Sequence, residues 1–485
     1  MHRALHTLAI IGLFCGSAVG QEASVFAPDG SVAAEELTGA SSELAANQRN
    51  ASVFNDVIGL RTSFNAATAE EGSTGLGAAG RIEPVRPFSD RLAAVARTEG
   101  GGAALDTSIF AGDTVFDQAS GFRIGRFTVL PEVTINGGYT DNVEGAAGGQ
   151  SGGLFRISPN ITATSDWSRH QLDFALRGSY VAYPDSSDDD DPSLTASSAL
   201  RLDVANETTV NADLAYTYSR EDASSAESAT GQDDVHQINA SLGLTRGAGV
   251  VSATISGGID RNIYSADDGI GSAGGRDNTL YSAGLRLNAE TGAAFTPFVE
   301  GALLLRRFDQ ECSDSLCERR DANGYEFRGG FGIDNGPKLA GEIGAGWRVE
   351  DLQDDRLGDL SGLVVDASLV WSPSRLTTVT AGLGTSFETT DIDGASGSII
   401  YSGDLRLAYG FSDRLVGEIG TGYSYRTYQG ADIDEGTFTG FGGLTYALTK
   451  NVALDAQYTY QNFDTTSPGG DYSSNTIEAG VRIRH

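Results

Sequence analysis

The sequence predicts an all-β protein: a transmembrane antiparallel β-barrel of about eighteen strands, with about sixteen as the alternative count, behind an export signal and a flexible N-terminal extension. Three observations predict it. Two-faced alternation of apolar and polar residues begins near Phe127 and recurs to the C-terminus. Long and short connections alternate along that region, as external loops and periplasmic turns do in outer-membrane barrels. Past the first twenty residues, no apolar run reaches the length of a membrane helix.

The first segment reads as a signal peptide over residues 1–20. Arg3 gives the positive end, Leu8 to Val19 an apolar core, and Ala18-Val19-Gly20 a small-residue cleavage site, so the mature chain is expected to start at Gln21. Residues 21–120 are rich in Ala, Gly, Ser and Glu, show no sustained period, and carry a break at Gly100-Gly101-Gly102. They read as a flexible periplasmic extension. Residues 121–485 read as the barrel.

Within the barrel, Leu172, Phe174, Leu176, Gly178 and Tyr180 share one face while Asp173 and Arg177 share the other. Leu200, Leu202 and Val204 alternate with Arg201 and Asp203, and Leu405, Leu407 and Tyr409 with Asp404 and Arg406. Strands are expected near 127–140, 153–164, 170–183, 193–204, 208–219, 234–246, 250–264, 277–290, 294–308, 324–334, 338–350, 361–372, 375–388, 399–411, 414–428, 436–448, 451–463 and 474–485. Each is long enough to cross a bilayer at the usual tilt, which takes about 9–11 residues. Short turns are expected at 205–207, 247–249, 335–337, 412–413 and 449–450, and long loops at 184–192, 220–233, 265–276, 309–323, 351–360, 389–398 and 464–473. Tyr139, Tyr183, Tyr218, Tyr264, Trp347, Trp371, Phe411, Tyr425, Tyr446 and Tyr460 fall towards segment ends, where interfacial girdles sit. Ile477, Ala479, Val481 and Ile483 share one face of the last strand, which ends at His485 rather than at an aromatic ring.

Gly121-Phe122-Arg123-Ile124-Gly125-Arg126-Phe127-Thr128-Val129-Leu130-Pro131, continuing to Tyr139-Thr140-Asp141-Asn142-Val143, resembles the opening strand of the putative β-barrel porin type 2 family. Ser158-Pro159 and Asp166-Trp167-Ser168-Arg169-His170 resemble the same family, and the similarity extends over roughly 120–485. The resemblance implies an outer-membrane barrel, in some relatives associated with polysaccharide export, and supplies no catalytic residues.

The strand phases place two sets of charges on the inward face. The acids are Asp173, Asp203, Asp213, Asp260, Glu300, Glu326, Glu342, Asp366, Asp404, Glu418, Asp455 and Glu478. The bases are Arg177, Arg201, Arg286, Arg306, Arg328, Arg348, Arg406 and Arg482. Such a face is either a salt-bridge lattice that stiffens the wall or a charged lumen that orients permeating solutes, and both can hold together. The net charge of −32 excludes a nucleic-acid partner, because phosphates repel an acidic surface. Cys312 and Cys317 close a short acidic loop and are expected to form a disulfide, with a metal pair the sharper alternative. Asp188 to Asp191, Asp351, Asp354, Asp355, Asp391, Asp393, Asp432 and Asp434 make the loops acidic; solvated charge is the plain reading and Ca²⁺ or Mg²⁺ binding the alternative. His170, His236 and His485 sit in no catalytic motif, so an outer-membrane enzyme is the remote reading. A channel for small polar solutes or exported polysaccharide is the main expectation, with polysaccharide-export machinery as a possible partner. A non-conducting structural or adhesive barrel is the alternative. No cofactor is expected.

Overall fold

The computed structural model describes residues 121–184, 191–205, 207–220, 226–227, 233–266, 273–289, 294–311, 316–334, 338–374, 376–412, 414–449, 451–467 and 470–485. The signal at 1–20, the extension at 21–120, Asp188 to Asp190 and Cys312 lie outside them. Cys317 is disulfide-bonded.

The described residues form one closed antiparallel sheet. A short β1 (Phe122–Ile124) folds back on β2 (Phe127–Thr140). There follow β3 (Gly152–Ser165), β4 (His170–Ala182), β5 (Asp191–Ala205), β6 (Thr208–Arg220), β7 (Asp233–Ala248), β8 (Val251–Ala266), β9 (Asn278–Ala289) and β10 (Phe295–Phe308). The other half comprises β11 (Ala322–Asp334), β12 (Leu339–Leu352), β13 (Leu360–Ser374), β14 (Thr377–Glu388), β15 (Gly397–Gly410), β16 (Leu415–Gln429), β17 (Asp434–Ala447), β18 (Val452–Thr465) and β19 (Tyr472–Arg484). Each of β2 to β18 pairs with its successor, and β19 pairs back onto β2 from Thr476↔Thr140 to Arg484↔Glu132, so the eighteen spanning strands close. Closure pairs the backbone of both edge strands, which is the condition for a sheet to survive in lipid.

Side-chain burial is inside-out relative to a water-soluble protein. Along β18, Leu454 and Tyr458 are exposed while Asp455, Gln457, Thr459 and Gln461 are buried. Along β10, Val299, Leu303 and Leu305 face out, Leu303 with 67% of its surface exposed, while Glu300 and Arg306 are buried. In water so much exposed apolar surface would be costly, at about 25 cal/mol per Å². Against hydrocarbon tails it is the matched surface. The polar residues then take the inner face, where they can satisfy one another.

The eighteen expected strands correspond one to one with β2–β19, with boundaries shifted by a few residues. The turns follow local chemistry: Gly249 adopts φ 70° in the tight connection between β7 and β8, a left-handed conformation that glycine adopts without steric cost. Both ends of the barrel meet at the rim with the short turns, where the Gly121 amide donates to the His485 carbonyl at 3.0 Å and Phe122 stacks on the His485 ring at 4.0 Å. One expected girdle residue is corrected. Tyr264 is buried, sharing the inward parity of Ser252, Thr254 and Ser256, and lies beneath the Arg276 guanidinium at 4.1 Å. Position near a strand end suggested an interface, but strand phase decides the face.

Candidate functional site

The inner wall is the candidate site, and its charges are unevenly distributed. On β9–β13 they interlock. Arg286 grips Glu342 with both terminal nitrogens, at 2.9 and 2.6 Å, reaching from β9 over two strands to β12. Its guanidinium also lies 3.7 Å above the Phe298 ring. Arg328 on β11 binds Glu300 at 2.9 Å, Glu326 at 3.2 Å and Asp366 on β13. Arg306 holds both oxygens of Glu350, at 2.7 and 3.0 Å, and Arg348 approaches the same carboxylate at 2.5 Å. Glycine makes room for these long side chains: a Cβ on Gly346, the cross-strand partner of Arg328, would stand 2.7 Å from the arginine Cγ.

Two further clusters continue the lattice. Arg482 binds Asp455 at 2.7 Å, and Asp455 also accepts from the Thr445 hydroxyl at 2.7 Å. At the seam, Arg156 on β3 reaches across β2 to Glu478 on β19 at 2.9 Å. It passes beside Gly138, whose Cβ would meet the Glu478 Cγ at 2.8 Å. Arg406 is buried with its guanidinium 5.3 Å above Phe441, and Glu418 is buried on β16. Pairing is what allows such charges to be buried at all, since an isolated ion away from water costs several kcal/mol or more.

The wall formed by β5–β7 differs. Its inward positions include Ser193, Thr195, Ser197, Asn211, Thr217, Gln237, Asn239 and Ser241, and these are half-buried rather than sealed. Asp173 accepts from Gln171 at 2.6 Å, Arg201 pairs with Asp203 at 3.1 Å, and Asp213 accepts from Ser241 at 3.3 Å. Arg177, Asp260 on the adjoining β8, Asp366 and Asp404 are likewise half-buried. Of the twenty sequence-derived positions, none is exposed on the outer face, and twelve are buried: Arg286, Glu300, Arg306, Glu326, Arg328, Glu342, Arg348, Arg406, Glu418, Asp455, Glu478 and Arg482.

Sequence reasoning passed over Arg156, Glu350 and Arg426, all buried on the inner face. Phase would have found them: Arg156 lies between exposed Phe155 and Ile157, Glu350 two residues after Arg348, and Arg426 eight after Glu418. Arg426 donates to the Tyr428 hydroxyl at 2.9 Å and to Glu388 at 3.1 Å.

At the rim with the long loops, Glu227 faces Arg276 at 3.6 Å, and the Ala226 amide donates to Glu435 at 2.7 Å. Asp354 is half-buried and bound by Arg356 at 2.7 Å, which holds its carboxyl well below the usual range. Among the described residues, no group of three or more His, Cys, Asp or Glu is arranged to hold a metal ion.

No curated protein matches the chain. Among solved structures it is similar to OccK2 (OpdF) of Pseudomonas aeruginosa, with 14% identity, TM-score 0.40, and coverage of 75% of this chain and 99% of that one. It is also similar to the copper transporter OprC, with 10% identity, TM-score 0.39, and coverage of 79% and 87%. The siderophore receptor PirA of Pseudomonas aeruginosa is similar with 12% identity, TM-score 0.33, and coverage of 74% and 80%. A family model described as Putative beta-barrel porin 2 matches residues 116–485, which include the whole described barrel. The chain therefore belongs to that family of porin-like outer-membrane β-barrels.

Proposed function

We propose that the protein is an outer-membrane channel that passes small polar solutes along the inner face of β4–β8. The observation that carries this reading is the half-buried, hydroxyl- and amide-rich inner wall of β5–β7, in a barrel whose inner surface on β9–β13 is closed by ion pairs and on β2, β3, β17 and β18 is buried. Neutral donors and acceptors replace hydration water without binding a solute so tightly that it cannot leave. Five carboxylates (Asp173, Asp191, Asp203, Asp213 and Asp260) against two guanidiniums (Arg177 and Arg201) on this side give a modest preference for cations. Single-channel recording in a planar bilayer tests both points: a defined conductance with a reversal potential shifted towards the cation is expected. A silent bilayer containing folded protein would refute the channel.

The density of the lattice on β9–β13 favours a second reading, a non-conducting barrel whose interior serves rigidity. That reading gains if no current is seen. A polysaccharide cargo would also suit a hydroxyl-rich wall. Loss of the gene would then lower surface polysaccharide, and an unchanged level would remove that cargo.

A further inference from the structure

We propose that the outer end of the β14–β15 hairpin is an internal constriction that sets the width of the path, with Arg320 as its main pin; this rests on the channel reading above. The β13–β14 ladder stops at Ala367↔Leu383, although β13 begins at Leu360 and β14 runs on to Glu388. The β14–β15 ladder continues to Glu388↔Ser398, so the hairpin stays intact while leaving its neighbour. Where the two part, the Thr385 hydroxyl substitutes for the lost ladder, accepting from the Val365 amide at 2.9 Å and donating to the Val365 carbonyl at 3.2 Å.

Beyond that point the hairpin lies over the inner face of β13. A Cβ on Gly362 would stand 2.6 Å from the Ile399 Cδ1 and 3.6 Å from the Phe387 ring. Val364, Phe387 and Ile399 form an apolar cluster there, with Ile399 only 2% exposed. Val364 belongs to the inner face of β13 while Phe387 and Ile399 share the parity of the outward Leu383 and Leu405, so the cluster marks a place where wall meets wall and water is excluded.

The tip is then fixed from other parts of the rim. Arg320 donates to the carbonyls of Ala395 at 3.0 Å and Ile392 at 2.8 Å, and Glu318 accepts from the Gly394 amide at 2.9 Å. Arg306 donates to the Phe387 carbonyl at 3.3 Å, and Asn278 on β9 reaches the Thr389 hydroxyl at 3.2 Å. Strand β9 lies five places from β14 around the barrel, so the tip spans that whole side of the mouth, and the Asp391 amide meets Glu227 of the β6–β7 connection at 3.5 Å.

The test compares the full-length protein with a variant whose Thr390–Ala395 segment is replaced by Asn-Gly, with Arg320→Ala, and with a Gly362→Cys/Ile399→Cys pair, using conductance and exclusion of uncharged polyethylene glycols. The shortened tip should give about a twofold or larger rise in conductance and admit larger polymers, with Arg320→Ala moving the same way by less. The cysteine pair should cross-link on oxidation and keep the parent conductance. A silent parent with a conducting shortened variant would overturn the open channel of the preceding section while upholding the tip as the element that closes the path. If both are silent, the channel reading and the constriction fall together. Unchanged conductance in a folded shortened variant, or a cysteine pair that does not cross-link, would overturn the constriction alone.

Discussion

The inner faces of β10–β12 and β5–β7 belong to the same closed sheet and point the same way, yet their chemistry is opposite. On β10–β12 each strand supplies both signs, glycines stand among the charges on the inner faces of β11 and β12, and Arg328 retains 3% of its exposure. On β5–β7, hydroxyls and amides predominate and remain half-accessible. The difference teaches that inward polarity alone does not make a passage. A wall that satisfies its own charges closes, because every guanidinium has a carboxylate within reach and glycine gives it room to lie flat. On β5–β7 the short neutral side chains keep their contact with solvent, whereas Thr134, Ser158 and Thr439 on other strands are buried.

The largest expected effect lies on the charged side. Arg328→Ala leaves Glu300, Glu326 and Asp366 without their shared cation, and breaking a buried pair of this kind costs about 3–5 kcal/mol. The unfolding midpoint in detergent, followed by the heat-dependent gel shift of folded barrels, reads it. Asn239→Ala on the neutral side should stay within about 0.5 kcal/mol, and equal losses would break the comparison. Next comes the outer face, where Leu303→Arg should cost about 2–4 kcal/mol in bilayers if Leu303 meets the hydrocarbon midplane. A fully tolerated arginine there would argue that this surface does not face lipid.

A smaller effect sharpens the location of the passage. Ser197 lies between Ala175 and Ala215, so Ser197→Arg has room to fold and should lower conductance by about half and weaken cation preference. No change in current would place the passage elsewhere. The smallest effect is local. Asp354 has its carboxyl lowered by Arg356, so the pairing is complete above the ordinary carboxylate range and is lost only as pH falls through the lowered value. A proton titration of Asp354 by NMR should find the carboxyl still ionised near pH 4. A midpoint at or above the free-aspartate value would show that the pair does not persist in solution.

Much of this was legible in the chain because a strand's period of two ties sequence parity to one face. Asp173 against Phe174, or Arg406 against Leu405, reveals the two surfaces without further information. Tyr264 misled because its position near a strand end outweighed its parity. Arg156 was missed because the phase of its strand was not carried through. The hairpin over Gly362 had no sequence signal: β13 and β14 read as ordinary neighbours, and nothing local announces that their ladder stops halfway.

By itself the sequence determined the strand segments, their faces and the polarity of the interior, since each follows from residues a few positions apart; the closed count of eighteen, against sixteen, came from the pairing of β19 with β2. Only the tertiary structure decided which charges neutralise one another, which wall stays open and where the mouth is overlapped. Those outcomes depend on distances between residues far apart in the chain, such as Arg286 and Glu342 or Asn278 and Thr389, and strand periodicity carries no information about such distances.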